Sequence, residues 1–213
     1  MSRLADMRRS YELGGLDEAE LAPTWLAQFE RWLADAVAAQ VAEPNAMVLA
    51  TADASGAPSA RTVLLKGVDE RGFVLYTNLG SRKGAQAAAN PQAALTFPWI
   101  ALQRQICVTG RVEAVDAAEA DAYFASRPHG SQLTAHASPQ SSAVASRVLL
   151  EAREAELAQR WPEGTAVPRP AHWSGLRVVP DGVEFWQGRP NRLHDRLRFR
   201  QVDGGWIVER LAP

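Results

Sequence analysis

"GLRVVPDGVEFWQGRPNRLHDRLRFRQVDGGWIVERL", residues 175–211, decides the fold. Its runs "GLRVVP", "VEFWQG", "RLHDRLRFRQV" and "GWIVERL" are rich in β-branched and aromatic side chains. Asp-Gly and Asp-Gly-Gly turn signals separate them, the pattern of an antiparallel meander. The same texture runs upstream through "AMVLATAD", "SARTVLLKGVD", "FVLYTN", "AALTFPW" and "RQICVTGRVEAV", with Pro98 implying an edge or a bulge in its strand. Six or more strands at hairpin spacing, broken by a few helices, predict a mainly β, α+β chain built as an antiparallel β-barrel.

The helices read from their own periods. In "PTWLAQFERWLADAVAAQ", Trp25, Phe29, Trp32, Leu33, Ala36 and Val37 recur at helical spacing behind Pro23 and Thr24. "KGAQAAAN" predicts a short Ala-rich helix, "DAAEADAYFAS" another, and "SSAVASRVLLEAREAELAQRW" a longer one. The proline-rich "PEGTAVPRPAHW" predicts a loop ordered by packing.

Composition removes several functions. With 213 residues, 46% of them hydrophobic, the chain can bury one sizeable core, so one domain is the expectation. The 23 basic and 24 acidic side chains leave a net charge of -1, against a nucleic-acid binder, whose domain would be basic overall. The single cysteine, Cys107, allows no intrachain disulfide and fits a reducing cytoplasm. The N-terminus lacks an apolar signal core, and no run approaches the roughly 18 apolar residues of a membrane span. The four histidines show no His-Glu-x-x-His spacing, so no metal is expected, and Gly-x-Ser-x-Gly is missing.

Positive charge is instead gathered locally. Arg192, His194, Arg196, Arg198 and Arg200 are spaced by two, which would put all five on one face of an extended strand. For Arg198 and Arg200 this reads as the polar face of a half-exposed strand; from Gly188 to Arg196 the sequence is turn-like and could hold an aromatic anion. In "YTNLGSRKGAQ", Ser81 stands at a helix N-cap with Arg82 and Lys83 in the first turn, where the dipole favours anions. Either a phosphate sits there or the cations are solvated surface charge. In "RTVLLK", the separation of five puts Arg61 and Lys66 on opposite strand faces unless a bulge intervenes. Tyr123, Arg127 and Ser131 follow at four-residue spacings near a helix end, a set able to wrap phosphate oxygens. Two phosphates explain these clusters better than one.

Taken in order, "MRRSYELGGL", "RTVLLK", "YTNLGSRK", "FPWIALQRQICVTG", "YFASRP", "QSS", "EFWQG", "RLHDR" and "ERLAP" resemble the pyridoxine/pyridoxamine 5'-phosphate oxidase family over nearly the whole chain. The resemblance implies a cytoplasmic homodimer of FMN-binding split β-barrels. It implies oxidation of pyridoxine 5'-phosphate and pyridoxamine 5'-phosphate to pyridoxal 5'-phosphate by O2, releasing H2O2, and NH3 from the amine. FMN would be held by Arg61, Thr62, Val63, Leu64, Leu65 and Lys66, by Tyr76, Thr77, Arg82 and Lys83, and by Gln105, Gln140, Ser141, Trp186 and Arg196. Lys66, Tyr123, Arg127 and Ser131 would anchor the substrate phosphate. Arg192 and His194 would orient the pyridine ring and its phenolic oxygen as the catalytic pair. Arg8 and Tyr11 would come from an N-terminal arm, residues 1–22, covering the site of a single domain, residues 23–213, whose 170–213 meander would serve dimer and site. Two other readings share the motifs: an FMN oxidase of another aromatic substrate, phenazine-type, and a non-catalytic flavin or pyridoxal-phosphate carrier. Where the family's pattern carries a tryptophan after "SQ", this chain reads "LTAHASPQSS", so His136 and Pro139 depart from it; a local packing change is the expectation.

Overall fold

The computed structural model describes residues 4–7 and 10–213. Among them, nine strands form one sheet in which every pairing is antiparallel: β1 (Ala46–Ala52), β2 (Pro58–Leu64), β3 (Gly67–Asp69), β4 (Gly72–Asn78), β5 (Gln92–Trp99), β6 (Arg104–Ala114), β7 (Trp173–Gln187), β8 (Asp195–Val202) and β9 (Gly205–Arg210). Neighbours run β2-β1-β5-β6-β7-β4-β3, and β8 joins β7 and carries β9. The sheet curls into a half-barrel of the split-barrel type. Pro98 lies past Thr96, where β1 stops pairing with β5, so its missing N–H deprives no neighbour.

The half-barrel closes around helix α1 (Trp25–Ala38). Thr24 caps it by accepting from the Ala27 N–H at 3.1 Å, and Trp25, Phe29, Trp32 and Ala36 face inward. Phe29 meets Phe73 and Phe97 at 5.1 Å each, and Trp32 meets Phe185 edge-on at 5.3 Å. With Phe29 fully buried, truncation to Ala would cost about 3–5 kcal/mol. Val37 corrects the periodic reading: it lies one step round the helix from Ala36 and is 58% exposed.

The meander also differs from its reading. "GLRVVP" and "VEFWQG" are not two strands around an Asp-Gly turn; they are halves of the single strand β7. Its first half pairs with β4, its second with β8, and β6 spans both. At the join, Thr109 faces Gly182 and Gly110 faces Pro180, which leaves Asp181 as the extra residue of a β-bulge, held by the Thr109 hydroxyl at 2.5 Å. A Cβ at Gly110 would meet the Val179 carbonyl oxygen at 2.1 Å, so the bulge needs glycine there. Because one extra residue shifts the alternation, Leu176 and Val178 before it and Val183 and Phe185 after it all enter the same core. Trp173 and Trp186 therefore share the opposite face, at the two ends of the strand.

Of helices α2 (Arg82–Ala89), α3 (Ala117–Ser126), α4 (His129–Ala137) and α5 (Arg147–Arg160), α2 gives Ala87 to the main core, α3 and α4 bury Phe124 and Leu133 in a smaller cluster with Trp173, and α5 buries no residue. The stretch before Arg147 is not helical; Ser146 caps α5. Helix α4 is absent from the sequence reading, since it has Gly130 inside and no capping side chain. Tertiary bonds hold it instead: the Gln132 amide donates to the carbonyls of Phe124, Ala125 and Arg127, tying α4 to the end of α3. The proline-rich loop is ordered by packing, with Arg169 bridging Asp121 and the Trp173 carbonyl.

Candidate active site

Strand β2 ends at Leu64, and the chain turns before β3, with the Lys66 N–H donating to Val74 O at 2.8 Å. The strict alternation that would separate Arg61 from Lys66 stops there. Both line one cavity of about 580 Å3, within the usual range for small-ligand sites. Its wall also carries Thr62, Val63, Leu64, Tyr76, Thr77 and Lys83 on one side and Tyr123, Arg127, Ser131 and Gln140 on the other. Leu65 is the exception within its segment, because its side chain turns into the main core.

The charges around this cavity are uncompensated. Among the described residues, no carboxylate lies within ion-pair distance of Arg61, Lys66, Arg82, Lys83 or Arg127. Ser81 caps α2, as expected, so Arg82 and Lys83 open a helix against its dipole. Lys83 Nζ donates only to neutral acceptors, Thr77 Oγ1 at 3.0 Å, Ser81 Oγ at 3.2 Å and Gln140 Oε1 at 2.9 Å. Burial and then the Arg61 charge push its amine below the ordinary lysine value; burial and then Arg82 lower Arg61 likewise. Arg61 is fixed by Thr51 Oγ1 at 2.7 Å, Leu49 O at 3.2 Å and Ser59 Oγ. Mutually repelling, partly buried cations that meet only neutral acceptors suit a bound phosphate.

The aromatic wall is the second feature. Tyr76 and Tyr123 stack at 3.8 Å and 10°, and Trp173 lies parallel to both, at 5.4 and 6.1 Å. Gly175, paired with Tyr76 across the strands, makes room, since a Cβ there would come within 2.8 Å of Tyr76 Cε1. Burial first, then the Glu119 carboxylate, push the Tyr76 phenol up to about 12, so it stays a donor at neutral pH. Glu119 is itself held by the buried Arg177 at 3.2 Å.

A separate group forms at the far end of β7. Gln105, Trp186 and Arg196 are cross-strand neighbours on β6, β7 and β8. Next to them, Tyr11, Trp186, Arg192 and His194 line a cavity of about 610 Å3. Arg192 and His194 lie in the turn that the sequence suggests from Gly188 onward, and the strand run "RLHDRLRFRQV" is shortened at its start: β8 begins at Asp195. Asn191 and Arg192 both hold left-handed backbone, φ 56 and 63, a strained turn of the kind found at ligand sites. Arg196 is already engaged bidentately with Glu184 at 2.7 and 3.0 Å and with the Ala212 carbonyl. Arg198 and Arg200 pair with Glu209, as the polar-face reading has it, which leaves Arg192 without a carboxylate partner among the described residues.

The segment around Tyr11 is fastened by residues not singled out in the sequence. Gln103 Oε1 accepts the N–H groups of Glu12 and Leu13 at 2.8 and 3.2 Å, and Asp195 accepts that of Leu16 at 3.0 Å. This sets Tyr11 against Trp186 at 5.8 Å and His194 at 5.7 Å. Arg8 lies outside the described residues. Ser141 follows Gln140 in a left-handed conformation, φ 72, outside the cavity lining. His136 Nε2 donates to Pro168 O at 2.8 Å and the ring packs on Trp161 at 4.7 Å, away from the main cavity, in keeping with a packing change.

Residues 33–161 match the family model described as pyridoxamine 5'-phosphate oxidase, and residues 173–213 match the pyridoxine 5'-phosphate oxidase C-terminal dimerisation region. The chain belongs to the pyridoxamine 5'-phosphate oxidase family. Among its relatives, the pyridoxine/pyridoxamine 5'-phosphate oxidase of Salinispora arenicola is 58% identical, covering 98% of this chain and 96% of the relative. That of Cupriavidus necator is 56% identical over the full length of both. In structure, the chain is similar to PhzG from Burkholderia lata, solved with tetrahydrophenazine-1-carboxylic acid, at TM-score 0.89 and 31% identity, covering 96% and 100% of the two chains. An FMN-binding protein from Nostoc punctiforme shares the oxidase family's fold at TM-score 0.72 and 17% identity, over 91% and 100%.

Proposed function

We propose that this chain is an FMN-dependent oxidase that converts pyridoxine 5'-phosphate and pyridoxamine 5'-phosphate to pyridoxal 5'-phosphate. The observation that carries the reading is the single cavity in which Arg61, Lys66, Lys83 and Arg127 meet no carboxylate. Two anions answer that charge: the FMN phosphate at Arg61, Arg82 and Lys83, and the substrate phosphate at Lys66, Tyr123, Arg127 and Ser131. A phenazine-type substrate without phosphate would leave the second set unused.

The chemistry FMN supplies when bound is acceptance of a hydride from the substrate C4' carbon and return of two electrons to O2 as H2O2. The alcohol yields the aldehyde directly; the amine yields an imine, which water converts to the aldehyde and NH3. The protein's part is positional. Arg127 and its neighbours fix the phosphate end, and Arg192 and the Nε2–H of His194 take the ring and its phenolic oxygen. Thr77, Gln140 and Lys83 form a hydrogen-bonded set around the FMN phosphate position. Residues 10–22 act as an arm over the site, with Tyr11 its contact and Gln103 its fastening.

Trp173 and Trp186 mark the two groups of residues, roughly 40 Å apart along the contour of one strand at about 3.3 Å per residue. One small substrate cannot bridge that span. A twofold homodimer would set the Trp173 end of one β7 beside the Trp186 end of the other and so build two shared sites, in line with the matched dimerisation region. No described helix is long and apolar enough to cross a membrane, and with its one cysteine the protein fits a cytoplasmic setting.

The test is the visible absorbance of the flavin-loaded protein without oxygen, before and after pyridoxine 5'-phosphate, with unphosphorylated pyridoxine as control. Bleaching by the ester alone supports the reading. A flavin that stays oxidised with both removes it in favour of another substrate or a carrier.

A further inference from the structure

The guanidinium of Arg127 is held in an unusual way. Among the described residues it makes no ion pair and donates no side-chain hydrogen bond, and its Nη1 is buried without a partner. Two ring faces hold it instead: Trp173, 4.7 Å from the guanidinium carbon, and Phe124, at 5.6 Å. Trp173 is 5% exposed and cannot swing away, because Tyr76 and Tyr123 lie parallel to it and Phe124 packs edge-on at 5.0 Å. An arginine fixed by carboxylates would have to surrender those bonds to receive an anion. One fixed by a ring face has spent none of its N–H groups on a partner and is already oriented.

We infer that Trp173 is a positioning residue: its indole face holds the Arg127 guanidinium in the cavity, with its donors directed at the phosphate of the substrate. The parallel tyrosines keep the indole in place, so the strand that opens the dimerisation region also sets the phosphate anchor. This rests on the proposed function for the identity of the substrate, though not for the recognition of phosphate.

The test combines steady-state kinetics with calorimetric titration of inorganic phosphate into the flavin-loaded protein. Trp173→Leu should weaken phosphate binding and raise KM for pyridoxine 5'-phosphate by about three- to thirtyfold, the loss of one desolvated cation–π contact. Its kcat should stay within about twofold, because the reacting end is untouched. Trp173→Phe, which keeps a ring face, should recover most of the affinity. In an Arg127→Ala background neither change should add anything. Unaltered phosphate affinity in Trp173→Leu overturns the inference, as does an equal loss with and without Arg127. If Trp173→Leu does not fold, the same cycle with Trp173→Phe decides, through a partial loss confined to protein that retains Arg127. A wild-type protein that binds phosphate but leaves the vitamers unoxidised defeats the proposed function and leaves this inference to the titration.

Discussion

The backbone N–H of Arg189 donates to Nδ1 of His194 at 3.1 Å, so the proton of the neutral imidazole sits on Nε2. The ring, packed on Trp186 at 4.7 Å, is thereby a fixed donor. His194→Ala should lower kcat/KM by about ten- to a hundredfold, the worth of a hydrogen bond to a charged oxygen. His194→Gln, whose amide reaches about as far as Nε2, should lose less. Equal losses in the two variants would take the donor role away.

Lys83 gives a pH dependence. The charged amine favours an anion, and burial with Arg61 nearby lowers its proton affinity in the ligand-free fold. FMN affinity is therefore full at pH below that depressed value and falls as pH rises through it, earlier than an ordinary lysine would allow. A fluorescence titration of FMN across alkaline pH measures this. Lys83→Arg should move the decline upward, and Arg82→Ala with Lys83→Ala should weaken FMN by at least about tenfold at neutral pH. An unchanged affinity would return both cations to surface charge.

A shared site can be read by mixing. Arg127→Ala and Arg192→Ala should each be nearly inactive as purified homodimers. Exchange of subunits between them should restore activity to about one quarter of the sites, since a twofold heterodimer holds one intact site and one doubly altered site. No recovery, with exchange shown by mass, would mean that each chain completes its own site.

The arm can be loosened without touching the cavity. Gln103→Ala removes the acceptor for the Glu12 and Leu13 N–H groups, so their amide hydrogens should exchange faster while those of the core strands do not. KM should rise as Tyr11 loses its seat beside His194. Slow exchange in the variant would show that Asp195, which accepts from the Leu16 N–H, and Arg189, whose Nη1 donates to Gly14 O at 3.0 Å, suffice to hold the segment.

How much of this was legible depended on how local each signal was. Helix α1 could be read from Thr24 and a period of 3.6, because its cap and its apolar stripe lie within one segment. Helix α4 could not, since Gln132 and the carbonyls it ties stand outside any periodic pattern. The Asp181-Gly182 pair read as a turn because bulge and hairpin use the same residues; only pairing with Thr109 and Gly110 distinguishes them. The cationic clusters and the order of motifs pointed to the cavity residues. Trp173 escaped notice because its partners, Tyr76, Tyr123 and Arg127, are brought to it by folding.

The bulge at Asp181 imposes a rule on chain length. An insertion or deletion of two residues between Val179 and Gly182 would keep Trp173 and Trp186 on a common side of the sheet. A change of one would send one of them into the core and an aliphatic residue out in its place. The two tryptophans never touch, yet the parity of the residues between them is what allows both to serve the same side of the molecule.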